Sequence, residues 1–537
     1  MRGAAAIDGE EGTGHPARRG DWRFILGCFG AYVVTTFAVV LTINPYFANG
    51  WDAQIFTGAG RSFFDGGSFF DLYQRSREIW QDWAFQYPPL YGLVLFPFVF
   101  AGVLLPGMPD YVLIRVPVVL ADLLMGWLLY RLVGRISGQQ PLARLALVFW
   151  LFNPVIFYQT AVQSHQESVW LVPAILAYAL ASRSGWRQVF LVSALLSLAT
   201  TLKQTAVLFF IPYGVYLWQQ SQERWRNLAT AGLTFVLVFG GISLPFYLHS
   251  RDFYELVFVV VPYYPVQTQS AVVWLLGLQE FLVEQTRSSF FLLRYQAPIT
   301  MALVLGLSFL ALRRRFGFFD LGLMVALVFF ITSKKVMGYH YPILLPFLII
   351  YALPKQRFDL VALGTIYASW IIVSPYYAPW ASPAHFVLYA TLMTPNTIFF
   401  LWFLWHLWRR SGRLNVGKLD LTAWLEGPRT VLAIFAVTLA MVLASLVQPA
   451  SGALLAVPDM RMASLLCMVL IFGLTLAVTW TLKGKLVAGF FGSGEKAPVG
   501  WLVPALAAWF TPLYFFTFTL SMESTKALEL ALKSWGK

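Results

Sequence analysis

The chain runs to 537 residues, 58% of them hydrophobic and 12% charged, and apolar runs of about 16–24 residues recur along it, which excludes a soluble domain and predicts an all-α polytopic membrane protein. The net charge of +13 comes from basic residues dispersed among short polar stretches. It therefore reads as topology and contact with anionic lipid head groups, and it excludes a nucleic-acid partner.

Residues 1–23 are polar and Gly-rich, with Arg18 and Arg19 before the first apolar run, and are expected to form a disordered cytosolic tail. Phe24–Ile43 then leaves the cytosol. The next basic cluster, Arg131 to Arg144, falls inside only if either Tyr87–Pro106 or Tyr111–Leu132 fails to cross. Tyr87–Pro106 opens on Pro88-Pro89, contains Pro97 and ends in Pro-Gly-Met-Pro, so it is the run expected to dip into the membrane and return. A first outer loop, residues 44–110, results, with membrane-dipping and interfacial helices.

If every later run crosses once, the basic clusters at Arg183 and Arg187, Arg224 and Arg226, Arg313–Arg315, Lys355 and Arg357, Arg409 and Arg410, and Lys483 and Lys485 all lie in the cytosol. The outer face then receives Gln159–Glu167, the turn Leu202–Thr205, a second long loop at 249–297, Lys334–Tyr339 and Pro375–Pro383. The expectation is a transmembrane helical bundle of about 15 spans. Residues 24–354 form its motif-bearing module, and residues 355–537 add helices of unassigned role.

Polar groups gather on that outer face. Asp52 follows the first span directly, where a partly desolvated carboxylate suits a general base and equally suits a cap on the helix that starts there. Lys203 and Gln204 interrupt an apolar stretch, and Lys334, Lys335 and His340 arrive on the same face just before Tyr341-Pro342. Clustered cations at a membrane surface suit a phosphate, although a lysine there also snorkels to lipid head groups. His165, Gln166 and Glu167 lie between two short runs after Phe152-Asn153-Pro154. Asp122, on an apolar helix, is expected to pair with a polar neighbour such as Arg115. The histidine spacings give no support to a zinc site, the first outer loop has no Asp-x-Asp, and no P-loop or dinucleotide fingerprint occurs, so neither metal nor cofactor is expected. Cys28 and Cys467 each fall inside an apolar run, which rules out a disulfide framework.

Taken in order, Asp52, Tyr87-Pro88-Pro89-Leu90, Arg115 with Ala121-Asp122, Phe152-Asn153-Pro154, Glu167-Ser168, Lys203-Gln204 and the stretch Ser333 to Pro342 resemble the GT-C superfamily of integral-membrane glycosyltransferases over roughly Trp51–Pro354. The first half is similar to members that use polyprenyl- or dolichyl-phosphate sugars as mannosyl or glucosyl donors. Two departures stand out: a paired Asp-x-Asp is here Trp51-Asp52-Ala53-Gln54, and a His-Glu-Lys pattern is here Lys334-Lys335 with His340 at a distance.

The resemblance implies an inverting transfer of a sugar, with mannose expected, from a polyprenyl-phosphate donor to a hydroxyl of an extracytoplasmic glycolipid or glycan acceptor. It implies Asp52 as base, Lys203, Gln204, Lys334, Lys335 and His340 around the donor phosphate, and Tyr87, Arg115, His165, Gln166 and Glu167 around the substrates. The expected location is a bacterial plasma membrane, with the site on the extracytoplasmic face among membrane lipids. The rival is a transporter or flippase of a phosphate-bearing lipid or anion. Polar groups crowd the ends of the apolar runs rather than their centres, which favours surface chemistry over permeation.

Overall fold

A computed structural model describes residues 19–42, 51–65, 68–80, 84–105, 107–181, 185–259, 267–268, 295–314, 316–333, 335–336, 338–355, 360–361 and 397–409. These segments are helical almost throughout, as the composition requires, because a helix satisfies its own backbone N–H and C=O groups where water is absent. In chain order the helices that position the site are α1 (Arg19–Thr42), α2 (Trp51–Arg61), α3 (Leu72–Trp80), α4 (Pro89–Leu104), α5 (Asp110–Leu113), α6 (Val116–Ser137), α7 (Gln140–Leu151), α8 (Pro154–Phe157), α9 (Glu167–Leu180), α10 (Trp186–Leu202) and α11 (Val207–Gln220). Among the described residues, beside turns and loops, the strand pairing is a two-residue parallel one, Gln267 and Thr268 against Lys335 and Val336.

Three described runs are long and apolar enough to cross a membrane: Asp110–Ser137, Arg224–His249 and Gln296–Arg313, with 28, 26 and 18 residues. A fourth arises if Gln140–Leu151 and Val155–Ala161, bent by 41°, count as one span. The other apolar helices are 10–17 residues long. The expected total of about 15 is therefore not reached among the described residues, and the spans expected after residue 409, like the outer loop Pro375–Pro383, lie outside them.

The hairpins α6–α7 and α9–α10 bring the start of α6, the end of α7, the start of α9 and the end of α10 to one end of the bundle. Helix α4 belongs to that end. Pro88 caps it and Pro89 opens it, where a missing N–H leaves no helical bond unmade. Phe56 of α2 packs on Tyr87 and Tyr91 at its start, at 5.7 and 5.3 Å, and Phe64 packs on Phe100 near its finish at 5.6 Å. The two helices thus run side by side in the same direction. Gly60 lets them close, since a Cβ there would collide with Val99. At its far end α4 meets Asp110, which Arg61 grips in an ion pair.

Beneath the site the core is aromatic. Phe347 stacks on Phe209 with centroids 5.2 Å apart and also meets Tyr178, and Gly322 is the residue that admits it, because any side chain there would overlap its ring. Above, α3 is tied to the chain that follows the Arg224–His249 run: Arg77 bonds Asp252 at 2.6 Å and also Glu255, and His249 Nε2 lies 2.5 Å from Asp71 Oδ1.

Candidate active site

The site grows from a break in one helix. After α7, Asn153 accepts the Val155 N–H at 3.0 Å, and Pro154 opens the short α8. The chain then widens into a π turn, Tyr158–Gln163, and ends it at Ser164, whose φ of +58° lies in the left-handed region that residues with a Cβ seldom adopt. Such a conformation costs about 1–3 kcal/mol and persists only where packing over-determines it. Its result is that Ser164, His165, Gln166 and Glu167 are all fully buried at the mouth of α9.

His165 reaches Asp52. Its Nε2 is 3.1 Å from Asp52 Oδ2, and while the imidazole is fully enclosed the Asp52 side chain keeps 41% of its surface. Tyr339 stacks on one face of the imidazole, with centroids 3.5 Å apart and planes 12° from parallel, and Phe56 meets it edge-on at 5.9 Å. Asp52 lies in the first turn of α2, so the helix N-terminus also favours its charge.

Glu167, next in the turn, forms an ion pair with Lys203 and accepts the Trp170 indole N–H at 2.6 Å. The Lys203 ammonium stands 5.7 Å from the Tyr87 ring and 5.9 Å from the Tyr339 ring. Tyr87 is fixed through its carbonyl, which accepts the Tyr73 hydroxyl at 2.6 Å. Burial, with the charges of Asp52 and Glu167 beside it, pushes the Tyr87 phenol well up, so it remains a hydrogen-bond donor. Gln204 donates to the Gln86 carbonyl at 3.0 Å and so holds the approach to α4.

Two expectations change. Asp122 does not bond Arg115: it accepts the hydroxyls of Tyr32 at 2.5 Å, Thr160 at 2.6 Å and Ser168, and Gln159 in turn donates to Ser168. Arg115 stands at the N-cap of α6 rather than within it, and its guanidinium bonds the carbonyls of Ala161 and Tyr111. It supports the π turn from behind. Lys203, expected among the cations around the donor phosphate, is ion-paired with Glu167.

Among the expected site residues, then, Asp52, Tyr87, His165, Glu167 and Lys203 come together, with Gln166 in the same turn and Gln204 one residue beyond. His340 sits between Tyr339 and Phe329, its ring 4.5 and 5.9 Å from theirs. Lys335 is placed by its backbone in the pairing with Gln267, and Lys334 lies outside the described residues. Three participants escaped the sequence reading: Phe56, Trp170 and Tyr339. Tyr339 alone had a signal, its place between Gly338 and His340 in the polar outer motif. Among the described residues no group of three or more His, Cys, Asp or Glu side chains is arranged to hold a metal ion.

No curated protein matches the chain. Residues 66–220, the stretch that holds Tyr87, His165, Glu167 and Lys203, match the family model MptA_B, alpha-(1->6)-mannopyranosyltransferase, N-terminal domain, and this segment is thereby assigned to a mannosyltransferase family of GT-C type.

Proposed function

We propose that the protein is an inverting mannosyltransferase that takes mannose from a polyprenyl-phosphate donor and passes it to a hydroxyl of a glycolipid or glycan on the extracytoplasmic face of a bacterial plasma membrane. The observation that carries this reading is the partly open Asp52 carboxylate beside a cluster of groups from four other elements, the buried His165, Lys203 and Tyr339 and the half-buried Tyr87. Asp52 takes the proton of the acceptor hydroxyl as its oxygen attacks the anomeric carbon, and the phosphate leaves from the opposite face. Lys203, with Lys334, Lys335 and His340, receives the charge that develops on that phosphate. The phosphate competes with Glu167 for Lys203, so the ion pair holds the ammonium ready in the meantime. An inverting enzyme with an α-linked product, as the family description implies, requires a β-linked donor. The transporter alternative has no observation behind it.

Purified protein incubated with β-linked polyprenyl-phosphate mannose and a mannoside acceptor should release polyprenyl phosphate and form an α-linked product. Asp52→Asn should lower turnover by about 10²–10⁴-fold with donor binding retained. Transfer from a nucleotide sugar in place of the lipid donor, or retention of configuration, would overturn the reading.

A further inference from the structure

His165 and Asp52 divide their contact unequally. The imidazole is sealed, with Tyr339 on its face and Phe56 against its edge, while the carboxylate remains open to an arriving hydroxyl. Of the two ring nitrogens, Nε2 meets Asp52 and Nδ1 is buried without a hydrogen-bond partner among the described residues. A nitrogen aimed at a carboxylate donates, and a bare Nδ1 acceptor costs less in a dry pocket than a second N–H with nothing to receive it. The ring therefore supplies one donor, to one oxygen, in one orientation.

We propose that His165 is a positioning residue that acts through Asp52: by donating to Oδ2 it fixes the orientation of the carboxylate that meets the acceptor hydroxyl, and Tyr339 and Phe56 clamp the imidazole for that task. The proposal rests on the assignment of Asp52 as base made above. In the step itself the acceptor O–H bond breaks and its proton passes to the Asp52 carboxylate. The acceptor oxygen forms the new bond to the anomeric carbon, and the old carbon–oxygen bond leaves with its electron pair on the phosphate. His165 exchanges no proton. The reverse division of labour, with His165 as base, fails on access, since no atom of the imidazole is exposed. Among the described residues, the titratable groups around the pair include Glu167 and Lys203, bound to one another, with Tyr87 and Tyr91 beside Asp52 and Tyr339 on the imidazole face.

The test uses the full-length protein in detergent and two readouts. One is the pH dependence of kcat and KM. The other, independent of turnover, is the pH dependence of Asp52 esterification by a diazo reagent, followed by mass spectrometry. His165→Phe keeps the stack and removes the donor. It should lower kcat about 10–100-fold, leave the donor KM within about twofold, and raise the Asp52 labelling midpoint by about one pH unit, because the charged carboxylate loses a hydrogen bond. His165→Gln, which restores an N–H near the Nε2 position, should recover most of both effects. A raised KM at unchanged kcat would make His165 a substrate contact, and an unchanged midpoint, or a Gln variant as impaired as Phe, would overturn the proposal. If His165→Phe does not fold, Tyr339→Leu, which frees the ring, must give a smaller shift in the same direction. Wild-type protein inactive toward the lipid donor would defeat the proposed function alone, since the labelling series still decides whether His165 governs Asp52.

Discussion

Lys203 and Glu167 are paired inside the protein, the lysine side chain 5% exposed and the carboxylate not at all. A pair so enclosed is vulnerable to the loss of one member, because the survivor keeps its desolvation cost without its counter-charge. Lys203→Met should therefore destabilise the protein by about 3–5 kcal/mol. Glu167→Gln combined with Lys203→Met should lose much less than the two single losses together. Denaturation midpoints of the four proteins in detergent check this, and additive losses would show that the two groups act independently.

Asp122 joins α1, the π turn and α9 through three hydroxyls. Asp122→Ala leaves all three without their acceptor and should cost about 3 kcal/mol or more, whereas Asp122→Asn, which keeps one carbonyl oxygen, should cost less. Since Thr160 and Ser168 bracket His165 and Glu167, the Ala variant should also lose mannosyl transfer at temperatures where it is still folded. Full activity in folded Asp122→Ala would separate the network from the site.

Helix α4 starts beside Lys203 and ends beside Asp110, at one end of the bundle. The prediction is that it enters from the outer face and returns there. Gly107 and Gly138 have φ of +105° and +66°, so reporter cysteines belong at their exposed neighbours Met108 and Gln139. In a background lacking Cys28 and Cys467, an impermeant thiol reagent on intact cells should label Met108→Cys, and Gln139→Cys should react only after lysis. Labelling of Gln139→Cys in intact cells would reverse the assignment.

The tie between α3 and the Arg224–His249 run carries a pH dependence. The hydrogen bond from His249, aided by the Ser68 N–H and the charge of Arg75, holds the Asp71 carboxyl below its usual value of 3.8. A carboxyl depressed in the folded state contributes fully above the unfolded value and loses that contribution as pH falls through the folded one. Protection of the amides over residues 68–80, taken against the intrinsic exchange rate at each pH, should therefore fall as pH drops below 3.8. Asp71→Asn should abolish that fall. The group is solvent-accessible, so the effect is modest.

The one-sided gathering of Asp52, His165, Glu167 and Lys203 was legible in the sequence because polar residues at the ends of apolar runs have few places to go in a membrane. Their pairings were not legible. That Lys203 is neutralised depends on the α9–α10 hairpin closing with the first residue of one helix against the residue that ends the other. The expected Arg115–Asp122 pair assumed one continuous helix, whereas the turn at Ile114 and Arg115 directs the guanidinium toward Tyr111 and Ala161 and leaves Asp122 to the hydroxyls of other elements. The π turn has no glycine to announce it. The stack of Tyr339 on His165 is a contact between distant parts of the chain that no local pattern encodes.

Ser164 gears two halves of the site together. Its left-handed torsion throws the next residue toward Asp52 and the third toward Lys203, so the partners of Asp52 and Lys203, His165 and Glu167, hang from a single backbone pivot. A rotation there that draws the imidazole along Asp52 also drags the carboxylate along Lys203. On the proposed chemistry, proton removal at one end of the exchanged bond and charge neutralisation at the other are adjusted by the same movement, and neither can be retuned by substitution without detuning its counterpart.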